Sequence, residues 1–317
     1  MSIWTNKRIL VTGGGGFLGT HVTQALESKK DIAEIFSVRS KDYNLTREDE
    51  VIRLFKEHPC DIVIHLAGLV GGILPNKEQP ASYFYQNLLM GTFMLHHAWE
   101  HGASKFIAAG AGCGYPQFAE NPLKESDLWS GFPQQESAHY SLAKRLLTIQ
   151  SEAYYRQHNF VSVIGIPGNI YGPYDNYNLL DAHVIPALVR KFVEATKQAT
   201  ERIEVWGTGK AARDFVYAGD VAEGLLLSAE YFNTNAIVNL SSGQETSIKE
   251  VIDILTRITA YKGQIEWNTS RPDGQLHRCF DITKAKEELG WKAKTSLEEG
   301  LQKTVDWYRA HQHEARK

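Results

Sequence analysis

The chain has 317 residues, of which 43% are hydrophobic and 22% charged, a composition typical of soluble globular proteins. Its net charge of -3 provides no broad basic surface for nucleic acid. It has no signal-peptide pattern and no apolar run of about eighteen residues, so we expect a cytoplasmic protein that does not span a membrane. The cysteines Cys60, Cys113 and Cys279 lack C-x-x-C spacing and predict neither a disulfide framework nor a metal site.

A glycine-rich turn lies close to the start of the chain, where an apolar run at 8–12 passes into a helical pattern. Gly13, Gly16 and Gly19 are three residues apart. This spacing allows a strand to turn sharply into a helix and a pyrophosphate to approach bare backbone. A helix that begins there directs its free amide hydrogens toward phosphate. The stretch therefore predicts the βα opening of a dinucleotide-binding fold, although a tight turn also needs glycine when no ligand binds.

The end of the second predicted strand, at 33–38, bears on the choice of cofactor. Arg39 and Ser40 follow it, with Lys41 next. An acidic residue at this position would hold the ribose hydroxyls of NAD, whereas a basic cluster suits the extra phosphate of NADP. Because surface Arg and Lys are also common in loops, the cluster favours NADP(H) over NAD(H) and leaves NAD(H) open.

Strand and helix patterns then alternate, in the order helix at 51–55, strand at 61–67, glycine-rich loop at 68–75, helix at 84–99 and strand at 105–109. The alternation predicts an α/β protein with a doubly wound parallel sheet of the Rossmann type. Its loops after strands lie at the edge where such sheets bind ligands. The neighbouring His96 and His97 belong to different helix faces, so we do not expect them to bind a metal.

A tyrosine and a lysine four residues apart are the first candidates for catalysis. Tyr140 and Lys144 lie in a helical pattern that continues to residue 149, so the two side chains stack on one helix face. An ammonium beside a phenol favours the phenolate, and we expect Lys144 to lower the pKa of Tyr140 toward the range of an acid–base catalyst.

The alternation loosens beyond residue 172. The later patterns are a helix at 184–196, strands at 203–206, 214–217 and 237–240, a helix after Asp220, and another helix that a capping box at Ser247 and Glu250 opens. We expect residues 1–170, with 211–242 returning to them, to form a dinucleotide-binding domain. Residues 171–210 and 243–317 are expected to form a smaller, segmented substrate-binding domain.

Together with the glycine turn and the Tyr140 and Lys144 pair, the chain resembles the extended short-chain dehydrogenase/reductase superfamily. Within it, the chain is similar to the GDP-L-fucose synthase family over nearly its whole length. The motifs that carry this resemblance are Val70-Gly71-Gly72-Ile73, Cys113 with Tyr115-Pro116, the stretch 167–173, Asp175-Asn176, His183-Val184-Ile185-Pro186-Ala187-Leu188, and Trp206-Gly207-Thr208-Gly209 running on to Arg213-Asp214-Phe215.

The resemblance implies an NADP(H)-dependent 3,5-epimerase and 4-reductase of GDP-4-keto-6-deoxy-mannose, working as a homodimer that pairs through helices 84–99 and 140–155. It assigns Tyr140 and Lys144 to reduction, and Cys113 and His183 to proton transfer at C3 and C5. The cofactor-binding residues that it implies are Gly13, Gly16, Phe17, Leu18, Gly19, Arg39, Ser40, Asn44, Leu45, Leu66, Ala67, Gly68, Lys144, Pro167, Asn169 and Ile170. The implied substrate-binding residues are Ala111, Gly112, Asn169, His183, Lys191, Trp206, Arg213, Asp273 and Arg278.

Lys191 and Arg278 carry the positive charge that the resemblance implies, but in a different side chain from the family's. Two other departures from the family pattern matter more. Ala111 lies where the family has a Ser or Thr that hydrogen-bonds the reacting oxygen, and Gly15 lies where some members have an arginine near the NADP phosphate. Loss of one such donor costs roughly a hundredfold to a thousandfold in rate. Two alternatives therefore stay open: an epimerase or 4-dehydrogenase that retains NAD, with the reductase step lost or altered, and a catalytically silent protein that binds sugar nucleotides.

Overall fold

The structure is a computed structural model that describes residues 2–270 and 274–316. Its strands are β1 (Arg8–Thr12), β2 (Glu34–Val38), β3 (Ile62–His65), β4 (Lys105–Ala109), β5 (Val161–Pro167), β6 (Asn169–Tyr171), β7 (Arg202–Trp206), β8 (Ala212–Tyr217), β9 (Ala236–Leu240), β10 (Glu245–Ser247) and β11 (Gln264–Asn268). Its helices are α1 (Phe17–Glu27), α2 (Glu48–Glu57), α3 (Ile73–Glu78), α4 (Pro80–Glu100), α5 (Ala138–His158), α6 (Val184–Gln198), α7 (Ala218–Tyr231), α8 (Ile248–Thr259), α9 (Thr283–Leu289) and α10 (Leu297–Ala310).

A six-stranded sheet forms the centre of the molecule, with its strands in the order β2-β1-β3-β4-β5-β9. Every neighbouring pair in it is parallel. The order reverses between β1 and β3, and open sheets of this kind bind ligands beside the carboxyl ends of the strands at such a reversal. The predicted Rossmann-type fold is confirmed.

Helices cover both faces of this sheet because successive strand residues point to opposite sides. Ile9 and Val11 of β1 lie in the core that contains α1, α7 and α9. Leu10, between them, lies in the second core, which contains α2, α4 and α5. The nearly continuous apolar runs of β1, β3 and β4 are therefore the pattern expected of strands that are buried on both faces.

A smaller unit gathers around a third core. The helices α6, α8 and α10 pack there with the parallel pair β11 and β7. In β8, Phe215 points into this third core whereas Val216 points into the core of the large sheet. Ala285 and Leu289 of α9 also lie in the core of the large sheet. The domain boundaries stay a prediction.

The structure extends several predicted elements and adds others. Part of the loop expected at 68–75 is the short helix α3, where the Asn76 amide donates to the carbonyls of Gly71 at 3.1 Å and Gly72 at 2.9 Å. The helix expected from residue 84 begins at Pro80, a residue that suits the first helical position. The capping box is confirmed, since Ser247 N donates to the Glu250 carboxylate at 2.8 Å and Glu250 N donates to the Ser247 hydroxyl at 3.2 Å.

Two further observations concern the helices. Among the described residues, no helix combines the length and apolar character that a membrane span requires.

His96 and His97 lie closer together than their different helix faces suggested. Their ring nitrogens and the Glu100 carboxylate lie within 4.8 Å of one another. Each is already engaged, since His96 bonds the Tyr154 hydroxyl at 2.6 Å and His97 bonds Glu100 at 2.8 Å.

Candidate active site

Backbone atoms packed around the turn after β1 require glycine at two of its positions. Gly13 has a φ of +70°, and a Cβ on it would lie 2.7 Å from the Ala67 nitrogen. A Cβ on Gly19 would lie 1.9 Å from the Gly13 carbonyl oxygen. Both contacts are impossible for a larger residue, and they pack the first turn of α1 tightly onto the end of β1. The turn therefore has a steric reason for two of its glycines before any ligand is considered.

The open side of the same turn fits a phosphate. A Cβ on Gly15 would meet no heavy atom within 4 Å, so this side of the turn is free space. Gly16 is the N-cap of α1; no side chain caps the helix, and its first turn has no acidic residue. The amides of Phe17, Leu18 and Gly19, together with the positive end of the helix dipole, form an anion site. The predicted dinucleotide pyrophosphate fits this arrangement.

Residues that follow β2 lie at the side of the glycine turn. Arg39 and Ser40 are exposed directly after the last strand residue, where a basic side chain is free to reach a ligand phosphate. Asn44 is exposed as well, and its side-chain oxygen accepts from Thr46 N at 3.1 Å. Leu45 is buried in the core beneath α2, so its backbone rather than its side chain is available to a cofactor.

The ends of β1 and β3 are joined by a buried hydroxyl. The Thr12 hydroxyl lies 2.8 Å from His65 Nδ1 and accepts from Ala67 N at 3.2 Å. Leu66 N donates to the Thr12 carbonyl at 3.1 Å. Gly68 is exposed at the sheet edge that follows. These contacts hold the loop after β3 beside the glycine turn, as a cofactor lying across the reversal point requires.

The next stretch of the sheet edge comes from β5 and β6. Pro167 is the last residue of β5, and Asn169 and Ile170 begin β6. The Asn169 amide donates to the Asp214 carbonyl at 3.2 Å. Asp214 is fully buried and accepts from Ser242 N at 2.9 Å, which ties β8 to the segment that follows β9 beneath this edge.

Tyr140 and Lys144 lie in the first two turns of α5, which follows β4 and thus begins at the ligand-binding edge of the sheet. Burial lowers the pKa of Lys144 to about 8, and Cys113 opposes this shift. Burial raises the pKa of Tyr140, and Cys113 and Tyr83 raise it further. The direction is opposite to the lowering expected from the pair, because burial disfavours the charged phenolate and Cys113 and Tyr83 act in the same direction as burial.

Cys113 lies in a short 3₁₀ turn, Gly112–Gly114, that follows β4. Burial raises the pKa of its thiol, whereas a hydrogen bond from Ser141 and the charge of Arg278 lower it. Lys144 lowers it as well. Cys113, Tyr140 and Lys144 therefore form one electrostatically coupled cluster.

His183 is the N-cap residue of α6. The residue is exposed by its accessible surface, but desolvation by the protein around the imidazole lowers its pKa, and the charge of Asp181 raises it. Gly72 N donates to the Asp181 carbonyl at 3.1 Å, which brings the loops after β3 and before α6 together. The neutral imidazole favoured here is a form that can accept a proton.

The substrate residues implied by the resemblance fall into two groups. Ala111 and Gly112 border Cys113, and Arg278 donates to the Gly112 carbonyl at 2.8 Å. The second group lies on the small unit. There, the Lys191 ammonium donates to the Glu204 carbonyl at 2.9 Å, Trp206 is 58% exposed, and Arg213 donates to the Ala212 carbonyl at 2.8 Å. Asp273 lies outside the described residues.

Three residues at the site, Tyr83, Ser141 and Asp181, were not among the predicted ones. Tyr83 lies in the first turn of α4, with its ring centroid 6.3 Å from that of Tyr140 in an edge-to-face arrangement. Burial and then Asp181 raise the pKa of Tyr83, and Ser141 bonds the Cys113 thiol. A helix that starts at Pro80 is the sequence signal that would have placed Tyr83 at this sheet edge.

Comparison with known proteins identifies relatives of the same architecture. Residues 9–241 match the NAD dependent epimerase/dehydratase family. GDP-L-fucose synthase 1 of Arabidopsis thaliana is 34% identical over 303 residues, which cover 96% of this chain and 93% of the relative.

Solved structures agree with the sequence relatives. A GDP-L-fucose synthetase from Naegleria fowleri bound to NADP superposes with a TM-score of 0.92 at 28% identity, covering 100% of this chain and 97% of the other. A GDP-6-OMe-4-keto-L-xylo-heptose reductase from C. jejuni superposes with a TM-score of 0.90 at 27% identity, covering 98% and 100% of the two chains.

Proposed function

Because the chain belongs to the NAD-dependent epimerase/dehydratase family, we propose that it is an NADPH-dependent epimerase and reductase of a GDP-linked 4-keto-6-deoxy sugar. The observation that carries the proposal is the cluster of Cys113, Tyr140 and Lys144 at the sheet edge. Burial lowers the pKa of His65 to about 3, and the positive charge of Lys144 lowers it further. The His65 ring bonds the Thr12 hydroxyl just before the glycine turn. The interaction of Lys144 with His65 supports a place for Lys144 near the anion site that a dinucleotide needs.

Epimerisation uses the acidity that a C4 ketone confers on its neighbours. When a C–H bond at C3 or C5 breaks, its electron pair spreads onto the C4 oxygen as an enolate. Cys113 as thiolate, or His183 as neutral imidazole, takes that proton, and the other group returns a proton to the opposite face. Inversion at carbon requires the two groups to act from opposite faces of the sugar, and in this proposal Cys113, in the turn after β4, and His183, at the start of α6, take these two places.

Reduction at C4 uses the pair on α5. NADPH, when bound along the glycine turn, supplies the hydride for this step. Tyr140 donates its phenol proton to the C4 oxygen, and the Lys144 ammonium stabilises the phenolate that remains. The raised pKa of Tyr140 keeps the phenol protonated beforehand, which is the form a proton donor needs.

The cofactor is NADP(H), as in the solved structure from Naegleria fowleri that binds NADP. We assign its extra phosphate to exposed Arg39 and Ser40. Arg39→Ala should weaken NADPH binding several-fold and leave NADH binding unchanged, because only NADPH carries the phosphate. Titration of nicotinamide fluorescence measures both. Arg47→Ala is the matched control, since Arg47 is exposed and bonds Asp49 at 2.8 Å. Equal losses for NADPH and NADH would contradict the assignment.

We also propose a cytoplasmic homodimer. Exposed apolar side chains lie on the outer faces of α4 and α5: Tyr85 is 61%, Leu146 38% and Ile149 44% exposed. Two copies of this helix pair suit a four-helix contact. Light scattering should give about twice 35.7 kDa, and Ile149→Glu should lower the mass toward that of one chain. Leu180→Glu, at an exposed position outside these helices, is the control. A wild-type mass of one chain would contradict the dimer.

The proposed activity is tested with purified protein, NADPH and a panel of keto and hydroxy sugar nucleotides that includes GDP-4-keto-6-deoxy-mannose. Absorbance of the nicotinamide follows reduction, and NMR in deuterated water follows exchange at C3 and C5. We expect both with the GDP-linked 4-keto sugar. Absence of both across the panel would refute the proposal, whereas exchange without cofactor oxidation, with NAD released from denatured protein, would indicate the NAD-retaining epimerase.

A further inference from the structure

A buried arginine, Arg278, hydrogen-bonds the backbone of the turn that contains Cys113. The Nη2 atom of Arg278 donates to the carbonyl of Gly112 at 2.8 Å and to that of Tyr115 at 3.3 Å. Its Nη1 atom donates to the Gln275 side-chain oxygen at 3.0 Å. The side chain is only 9% exposed. These bonds direct the guanidinium into the turn, so Arg278 fixes the backbone on both sides of the thiol.

A second arginine holds the same turn from another direction. Arg145 of α5 donates from Nε to the Gly114 carbonyl at 2.9 Å and from Nη1 to the Gly131 carbonyl at 3.0 Å. The carbonyls of residues 112, 114 and 115 thus all accept from buried guanidinium groups. Such charge-assisted bonds are stronger than those between neutral groups, and the planar fork of arginine can satisfy several carbonyls at once.

The two arginines differ in what they do to the thiol. Burial raises the pKa of Cys113, and the groups that lower it are the Ser141 hydroxyl, the charges of Arg278 and Lys144, and the Cys113 backbone. Burial lowers the pKa of Arg278 and raises that of Tyr140, and the charge of Cys113 acts on both groups in the raising direction. Arg278 therefore combines a positional contact with a charge that acts on the thiolate.

We infer that Arg278 is a positioning residue that orients Cys113 for proton transfer: it holds the backbone on both sides of Cys113 and places a fixed positive charge against that turn. The inference rests on the proposed function, in which the thiolate takes a proton from carbon beside the keto group. In that step the C–H bond breaks, an S–H bond forms, and the electron pair enters the enolate. Arg278 stabilises the thiolate before this step and does not itself exchange a proton.

The test is thiol reactivity in the cofactor-free protein. Iodoacetamide alkylation is measured against pH, with peptide mass spectrometry to separate Cys113 from Cys60 and Cys279. We expect Arg278→Gln to move the alkylation midpoint of Cys113 upward by about one pH unit and to slow alkylation near neutral pH several-fold. Arg278→Lys keeps the charge but loses the fork, so its midpoint should shift less while deuterium exchange at the sugar still falls.

Arg145→Gln is the matched control, because it releases a carbonyl of the same turn. We expect it to leave the midpoint in place. Equal shifts in Arg145→Gln and Arg278→Gln would show that loosening of the turn explains the effect, and an unchanged midpoint in Arg278→Gln with a raised KM would show a substrate contact instead. Either result overturns the inference. If Arg278→Gln does not fold, Arg278→Lys and Gln275→Ala supply the comparison.

Failure of the proposed function is distinguishable from failure of this inference. Alkylation needs neither substrate nor cofactor, so it reports on Arg278 even if the wild-type protein exchanges no sugar proton. A wild-type protein that exchanges protons while Arg278→Gln keeps the wild-type alkylation profile would leave the proposed activity intact and remove the role of Arg278.

Discussion

Tyr140→Phe should reduce hydride transfer to a 4-keto sugar by roughly a hundredfold to ten-thousandfold, the range that a positioned acid contributes. The substitution removes the only group that we assign as proton donor to the C4 oxygen. Because it removes one oxygen and keeps the ring, the edge-to-face contact with Tyr83 is retained. NADPH affinity should therefore change little.

Single-turnover oxidation of NADPH measures the chemical step, and fluorescence titration measures cofactor affinity. Tyr231→Phe is the matched control, since Tyr231 is 58% exposed at the end of α7. Deuterium exchange at C3 and C5 should be slowed as well, because the enolate places charge on the same oxygen. A Tyr140→Phe protein with wild-type turnover would mean that another residue is the acid.

Much of the large sheet could be predicted because its strands and helices follow from local patterns. Strands buried on both faces show apolar runs, as in β3, and amphipathic helices show their own period, as in α2. The short strands β10 and β11 were not predicted. Each exists through pairing with a strand far away in the chain, β8 and β7 respectively, and short segments carry little local signal.

The candidate site also contains residues whose proximity follows from local spacing and residues that only tertiary packing brings together. Tyr140 and Lys144 are separated by one helical turn, so their proximity follows from spacing alone. The contact between Arg278 and Gly112 joins residues 166 positions apart, and only the tertiary packing of these distant segments creates it. The predicted lowering of the Tyr140 pKa was wrong for a related reason. Burial raises this pKa, and burial depends on every element around the phenol.

Ala111→Ser should speed reduction of a 4-keto sugar nucleotide by roughly tenfold or more, because it restores a hydroxyl donor for the C4 oxygen. In the present chain Ala111 is the N-cap of the Cys113 turn, and its backbone is extended, with φ -144° and ψ 127°. Serine adopts this conformation without strain and is favoured at caps. Both steps place negative charge on the C4 oxygen, so proton exchange should gain together with reduction.

Steady-state kinetics of the two proteins on the same keto sugar decide this prediction. Ala111→Val is the matched control, since it adds bulk at the same position without a donor and should slow the reaction or leave it unchanged. If Ala111→Ser is slower than wild type, the methyl side chain makes room for a bound water or a larger sugar substituent, and the missing-donor account fails.

Tyr83 would then be the next hydroxyl to test as a donor, because its ring contacts Tyr140 and its pKa is raised, which keeps the phenol protonated. A loss of reduction in Tyr83→Phe, with cofactor binding intact, would place the second donor on α4 and explain why alanine is tolerated at position 111.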